Sequence, residues 1–540
     1  MFVGLPALVA AWKAPEVRGV GWGLMLLGVA LAVPTGLLVR SWWRRSPFDI
    51  SARLPRRLST RARVQWRERV FLGWTQGWLG GPRFAFGLPE DSVGIVGPTR
   101  VNKTAGIGIP QVLMWGGPLI SLAPKPDMFR DTAAKRRELA KIQGGRVLIY
   151  APTVRGRVEG LVPVRFSPSS TTDATEIGLR VDSWTEAAGT GKNVENGDHW
   201  ATSSKRILRG LFLASAHHPR LPGDFTVVHG WLTAGLAATS TVDHPLLEPI
   251  GILRGLSILK GDKYAADLWA SELEGVLGTT EKERSGFFSA ALTTVAAVSN
   301  PTVLRSAEAT DFDAEEFLLS GSSLYIVSPT EHQRAVAPLL SMLIQSIVHT
   351  AYRLHREGRL PHRLLVSLDD LANCAPLPQL ESIISQGGGQ GVNVAWNLQS
   401  LAQNEVNYGA PAARAIWHAT RIKIGFGGLD SEAGAEGLSV AIGDERVVVA
   451  GQSETEKGPR GSKHVYWRRV LSVSQLREIP DGWALMLYHN LPPRMLREPL
   501  AAKRHQISRH MKPWAVAEAE LEAATRAAEA TDPETSRREG

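Results

Sequence analysis

The chain has 540 residues, 44% of them hydrophobic and 21% charged, and a mean hydropathy of −0.08. These values exclude a mostly disordered chain and a polytopic membrane protein, and the length exceeds one ordinary hydrophobic core. A formal net charge of +9 suits an anionic partner but over this length also fits a solvated surface. The single cysteine, Cys374, excludes an intrachain disulfide and a cysteine-built zinc site.

Residues 20–39 read VGWGLMLLGVALAVPTGLLV, without a charge. Such a helix spans the ~30 Å of bilayer hydrocarbon. Arg40, Trp42, Trp43, Arg44 and Arg45 follow at once. Tryptophans favour the interface and arginines stay on the cytoplasmic side, so the bulk of the chain is expected in the cytoplasm. The bulky, basic RSWWRRSPF after the apolar run lacks the small residues of a signal-peptide cleavage site. Residues 1–45 are therefore expected to anchor the protein in the inner or plasma membrane. Residues 46–90 read as a basic juxtamembrane linker that either touches anionic headgroups or runs as a solvated helix.

Ser92–Val96 is a short β-prone run ending in Gly97. A loop and then a helix to about Met114 follow, with strands expected at Pro118–Ala123 and Arg146–Tyr150 and a helix at Arg130–Gln143. This alternation is that of a parallel α/β sheet. From residue 184 to 306 the apolar spacing becomes helical, as in Trp200–Ala216 and Tyr264–Leu277, and predicts an all-helical insertion. Strands return at Ser323–Val327, Arg363–Leu368, Gly391–Trp396 and Arg421–Phe426, with a long helix at Glu331–His355. Residues 91–183 and 307–510 would then form the nucleotide-binding body, and 511–540 a charged, partly disordered tail.

Three segments carry the chemistry. Gly97-Pro98-Thr99-Arg100-Val101-Asn102-Lys103-Thr104 matches the phosphate-binding P-loop pattern, except that Asn102 stands at the second glycine. Such a loop turns backbone N–H groups toward phosphate oxygens, and Asn tolerates the left-handed conformation that this position often needs. Lys103 would pair with the β- and γ-phosphates and Thr104 would ligate Mg²⁺, so ATP and Mg²⁺ are the expected cofactors. The bland alternative is a strand–loop–helix turn without a ligand. Next, RLLVSLDDLAN at 363–373 ends a hydrophobic strand in two acids. Asp369 would hold Mg²⁺ through its water shell and Asp370, one methylene shorter than the usual glutamate, would polarise the attacking water. A helix N-cap explains one of these acids well and two less well. Last, GVNVAWNLQS at 391–400 delivers Gln399 to a strand end, where it would sense the γ-phosphate or orient water.

In this order and spacing, the chain resembles the conjugative coupling proteins of type IV secretion, the TraG/TraD class, in an actinobacterial-like form. The matching residues are GIVGPTRVNKTAGIGIP around the P-loop, SLAPKPD at 121–127 and GDHWATSSKRILRGLFLAS at 197–215. They continue as YIVSPTEHQRAVAPLLSMLIQSIV from Tyr325, LDDLANCAPLPQLESIISQGGGQGVNVAWNLQSLAQ from Leu368 and WRRVLSVSQLREIPDGWALMLYHNLPP from Trp467. The resemblance covers nearly everything after about residue 40. It implies a RecA-like P-loop NTPase domain with an inserted all-α domain behind an N-terminal transmembrane helix. It also implies a homo-hexameric ring that couples ATP hydrolysis to DNA export, with single-stranded DNA bound without sequence preference. Relaxase or relaxosome proteins, secretion-channel components and the membrane would be the other partners. Asn102, Asp370 and Gly388 depart from the family's pattern; relatives often carry an arginine near Gly388 that reaches the neighbouring subunit. Arg414 and Arg421 are other basic residues that could take that place. The residues leave two alternatives: a degenerate nucleotide-binding adaptor that recruits substrates without efficient hydrolysis, and an FtsK-like DNA translocase.

Overall fold

A computed structural model of the chain describes residues 68–497 apart from 77–81, 192–194, 259–262, 330, 374–376, 430–433 and 456–457. The expected span at 20–39, the tail at 511–540 and Cys374 lie outside the described residues. Thirteen strands are described: β1 (Phe71–Gln76), β2 (Pro82–Phe86), β3 (Val93–Val96), β4 (Leu119–Ala123), β5 (Val147–Tyr150), β6 (Ser323–Val327), β7 (Leu364–Leu368), β8 (Val392–Leu398), β9 (Ile422–Phe426), β10 (Asp444–Thr455), β11 (Gly458–Arg469), β12 (Trp483–Tyr488) and β13 (Leu491–Arg497).

Eleven of them form one sheet in the order β2-β1-β13-β12-β9-β3-β8-β7-β4-β6-β5. The stretch from β9 to β5 is parallel. In β3, β4, β6, β7 and β8 every residue is buried. Helices cover both faces of such a sheet, which is why these strands read as unbroken apolar runs. The four remaining strands extend the sheet antiparallel beyond β9. This is the expected RecA-like architecture. The parallel register sets the ends of β3, β7 and β8 side by side, through Val96 opposite Leu398 and Leu368 opposite Trp396. In open α/β sheets ligands bind at such carboxyl ends.

Between β5 and β6 the described residues contain helices and no named strand. The helical stretch runs from Ala174 to Leu319, wider than the expected 184–306. Its first helix begins ten residues early because Asp173 caps it, accepting from the N–H groups of Thr175 (2.8 Å) and Glu176 (3.1 Å). That helix carries Trp184, which stacks on Phe225 with ring centroids 5.4 Å apart and donates from Nε1 to the Thr294 carbonyl at 2.7 Å. On its other side Ser346, from the Gln333–Arg356 helix, donates to Glu176 Oε1 at 2.8 Å, and Arg180 pairs with the same carboxylate at 2.6 Å. The insertion is thereby tied to the sheet body. Residues 335–356 are long and apolar enough to cross a membrane, but this helix is mostly buried inside the protein as a core helix.

The stretch expected as a linker, 46–90, differs in its second half. There β1 and β2 form a hairpin on the main sheet, with Phe71 edge-on to Phe86 at 5.8 Å and Gln111 Nε2 donating to the Phe71 carbonyl at 2.9 Å. The dense arginines of 51–69 obscure the apolar residues that follow them.

Under the active end, Gly94 faces Trp396: a Cβ on Gly94 would stand 2.3 Å from the buried indole. The indole is held by its own hydrogen bond from Nε1 to Thr420 Oγ1 at 3.0 Å. Gly94→Ala is expected to destabilise the protein by about 1–3 kcal/mol through overpacking. Thermal unfolding of the full chain checks this, and an unchanged midpoint would mean that the indole yields freely.

Candidate active site

The loop after β3 is shaped by tight packing and by unusual dihedral angles. The Gly97 N–H donates to the Leu398 carbonyl at 3.2 Å, and a Cβ on Gly97 would come within 2.8 Å of Phe426 Cβ. Arg100 and Asn102 both lie in the left-handed region, at φ of 67° and 61°. Lys103 returns to right-handed helical angles, and the Gly106 N–H closes onto the Asn102 carbonyl at 2.7 Å. Alternation of this kind makes concavities of backbone N–H groups that bind anions. The helix begins with a π turn, Thr104–Gly108, and continues as Ile109–Met114; no side chain caps its start. An uncapped helix start leaves its N–H groups to an anion.

All the residues singled out from the three motifs meet at this edge of the sheet. Lys103 Nζ donates to the carbonyls of Gly97 (2.6 Å) and Pro98 (2.7 Å), lying across the loop. Thr104 Oγ1 donates to Asp369 Oδ1 at 2.8 Å. Asp370, itself at φ 58°, accepts from Gln399 Nε2 at 3.2 and 3.3 Å and from Asn373 Nδ2 at 2.8 Å. Burial pushes the Asp369 carboxyl above its ordinary range, while hydrogen bonds from Asn397 and Thr104 act in the opposite direction.

Sequence reasoning missed Asn397 and Asn373. Asn397 Nδ2 donates to Asp369 Oδ1 at 2.5 Å, and its Oδ1 accepts from the Asp370 N–H at 2.6 Å, so one amide fixes both acids. The available signal was a pair of polar residues, Asn393 and Asn397, inside the otherwise apolar and wholly buried β8. A buried amide must find partners, and here one set is the acid pair.

These residues fit a magnesium nucleotide. The Thr104 hydroxyl donates to Asp369 Oδ1 at 2.8 Å, which leaves its oxygen lone pairs to a cation and sets the carboxylate where it would accept from that cation's waters. No cluster of three or more His, Cys, Asp or Glu exists among the described residues. A cation here would draw its remaining ligands from phosphate and water, the habit of Mg²⁺ rather than of a cage-bound metal. Gly388 leaves no room for an arginine: its Cβ would sit 2.3 Å from the Glu90 carbonyl. Arg363 instead donates to the Gly388 carbonyl and, at 2.8 Å, to Asn393 Oδ1. Arg421 lies 3.7 Å from Asp91 of its own chain, and Arg414 is exposed on the Ala410–Ala419 helix.

The profile of the family described as type IV secretory system conjugative DNA transfer matches residues 57–517. The chain belongs to this family. It is similar to the conjugal transfer protein TraG of Escherichia coli, at 25% identity over 333 residues, covering 58% of this chain and 49% of that protein. The chain thus spans about half the length of the curated relatives it matches. Among solved structures it is similar to the bacterial conjugative coupling protein TrwBdeltaN70 in complex with sulphate, with a TM-score of 0.52 and 17% identity over 76% of this chain and 87% of that one. It is also similar to the plasmid coupling protein TrwB in complex with the non-hydrolysable ATP analogue ADPNP, with a TM-score of 0.50, 16% identity and the same coverage of both chains. At such identities the likeness is one of fold.

The loop geometry sets an expectation for Asn102. Asn102→Gly should leave stability within about 0.5 kcal/mol, because glycine accepts a positive φ freely. Asn102→Val should cost about 1–3 kcal/mol, since a β-branched residue resists that conformation. Denaturant unfolding of both variants tests this; equal midpoints would show that the loop does not depend on the left-handed residue.

Proposed function

We propose that this protein is a membrane-anchored P-loop ATPase that couples ATP hydrolysis to transfer of DNA, or DNA–protein, through a type IV secretion channel. The observation that carries the reading is the continuous network Thr104–Asp369–Asn397–Asp370–Gln399 at the ends of β3, β7 and β8, in a chain of the conjugative DNA transfer family. The fold likeness to TrwB with ADPNP supports ATP as the nucleotide. The apolar segment at 20–39 supports the anchor and the net charge of +9 agrees with an anionic cargo. A homo-hexameric ring, relaxase or relaxosome proteins and channel components as partners rest on the family resemblance.

Each residue has a role in this reading. The N–H groups of Gly97–Thr104 cradle the phosphates, and Lys103 exchanges the Gly97 and Pro98 carbonyls for β- and γ-phosphate oxygens. Thr104 and Asp369 hold Mg²⁺, the latter through its water shell. The metal supplies neutralisation of the charge that develops on the phosphate oxygens. Asp370, restrained by Asn373 and Gln399, accepts a hydrogen bond from the attacking water and aligns it. Asn397 is a positioning residue, acting through both acids.

One observation favours the second reading, an adaptor that binds nucleotide without efficient turnover. Both carboxylate oxygens of Asp370 already accept side-chain hydrogen bonds, and its chain is short. Steady-state ATP turnover by the full-length protein, with and without DNA, separates the two. DNA-stimulated turnover is expected, abolished in Lys103→Ala and lowered on the order of a hundredfold in Asp370→Asn. Wild-type turnover no higher than that of Lys103→Ala, with nucleotide binding retained, would leave the adaptor as the account.

A further inference from the structure

We propose that the two-stranded ribbon of β10 and β11 is a contact surface for single-stranded nucleic acid. This rests on reading the chain as a DNA-handling protein, and it assigns that contact to named residues. Among the described residues the two strands pair only with each other, from Asp444 opposite Arg469 to Thr455 opposite Gly458. At ~3.4 Å per residue such a ribbon is about 40 Å long.

The base of the ribbon is open on both faces. Residues 465–470 are all exposed, with Trp467 at 69%, Val448 at 53% and Tyr466 at 45%. Successive strand residues point to opposite faces, so Trp467 and Tyr466 present a ring on each side. The register sets Trp467 opposite Arg446 and Val465 opposite Val448 on one face, with Tyr466 opposite Val447 on the other. Arg468 is paired with Glu445 at 2.8 Å, and Arg469 with Asp444 at 3.3 Å. Among the described residues no carboxylate pairs with Arg446.

This pattern decides between two occupants. A protein interface also enriches Tyr, Trp and Arg, but it depletes charge at its core. Here rings and cations alternate on both faces instead. Exposed rings flanked by guanidinium groups stack on unpaired bases and neutralise phosphates without reading sequence. Duplex DNA hides its base faces and would leave the rings unused.

The ribbon also leads back to the candidate active site. After β11, Ser439 Oγ donates to the Leu471 carbonyl at 2.7 Å, and the Gly428 N–H donates to the Arg477 carbonyl at 2.9 Å. A Cβ on Gly428, which precedes the ribbon, would stand 3.2 Å from Pro98 Cγ, so the chain that follows the ribbon is linked to the phosphate loop through Gly428.

The test is fluorescence anisotropy of a labelled mixed-sequence DNA 30-mer with the full-length protein in detergent, beside a duplex of the same sequence. The double variant Tyr466→Ala/Trp467→Ala should weaken single-strand binding by roughly tenfold to a thousandfold, given the usual effect of removing stacked rings. Trp467→Phe should retain most of the affinity. Arg446→Gln should make the slope of log affinity against log salt shallower by about 0.7. Binding of a fluorescent ATP analogue should be unchanged in all three. Wild-type DNA affinity in the double variant would overturn the assignment while leaving the DNA-handling reading in place. No DNA binding by a wild-type protein that still binds nucleotide would overturn both. Loss of a wild-type oligomer in the variants, with DNA affinity intact, would make the ribbon a contact between copies of this chain. Stronger binding to the duplex, lost in the double variant, would overturn the single-strand specificity.

Discussion

One carboxamide holds the candidate active site of this protein together. Asn397 binds the side chain of Asp369 with its nitrogen and the backbone of Asp370 with its oxygen, bridging β8 to the end of β7. Thr104 reaches the same Asp369 oxygen from the loop after β3. Three strand ends are thereby fixed to one another through a single carboxylate. The bridge works only because the three strands are parallel and in this register, so that their carboxyl ends arrive together. Everything that buries the sheet, including the helical insertion tied down by Glu176 and Ser346, serves to keep those ends aligned.

The site is assembled against local preference at several points. Arg100, Asn102 and Asp370 all take left-handed backbone angles, and Asp369 sits where burial disfavours its charged form. Strain of this kind persists only where the surroundings over-determine it, and it clusters at functional sites. Two of the departures from the family pattern fall on these strained positions. Asn102 is a residue suited to the angle it adopts, and Asp370 is braced by two side chains rather than left to extend. The third, Gly388, follows from packing against Glu90.

The parallel core was legible because each of its strands is buried on both faces, and burial of that kind leaves an unbroken apolar run. The ends of β4, β6, β7 and β9 fall within a residue of expectation. The antiparallel strands were not legible. At their base β10 and β11 carry charge and apolar residues together on open faces, and β1 follows directly on an arginine-rich stretch, so neither shows a clean pattern. Of the candidate site, the motif residues that the sheet brings together stood out in the sequence, since the P-loop spacing and the paired acids are local signals. Asn397 did not, because its role depends on which strand lies beside β8, and no local pattern states that. The start of the insertion was missed for a similar reason: Asp173 caps a helix whose apolar face meets a helix far away in the chain.

The pairing of β1 with β13 bears on how the protein can be divided. Trp74 lies opposite Arg497, so the first and last described stretches of the body are neighbours in the same sheet. A soluble fragment begun at the P-loop strand would remove β1 and β2 and uncover the part of β13 that meets β1. Bare strand edges of that sort recruit other strands and promote aggregation. A workable soluble fragment must therefore start ahead of Phe71. A tag or fluorophore placed just before β1 would lie next to one placed just after β13, which suits the pair to a distance sensor across that seam.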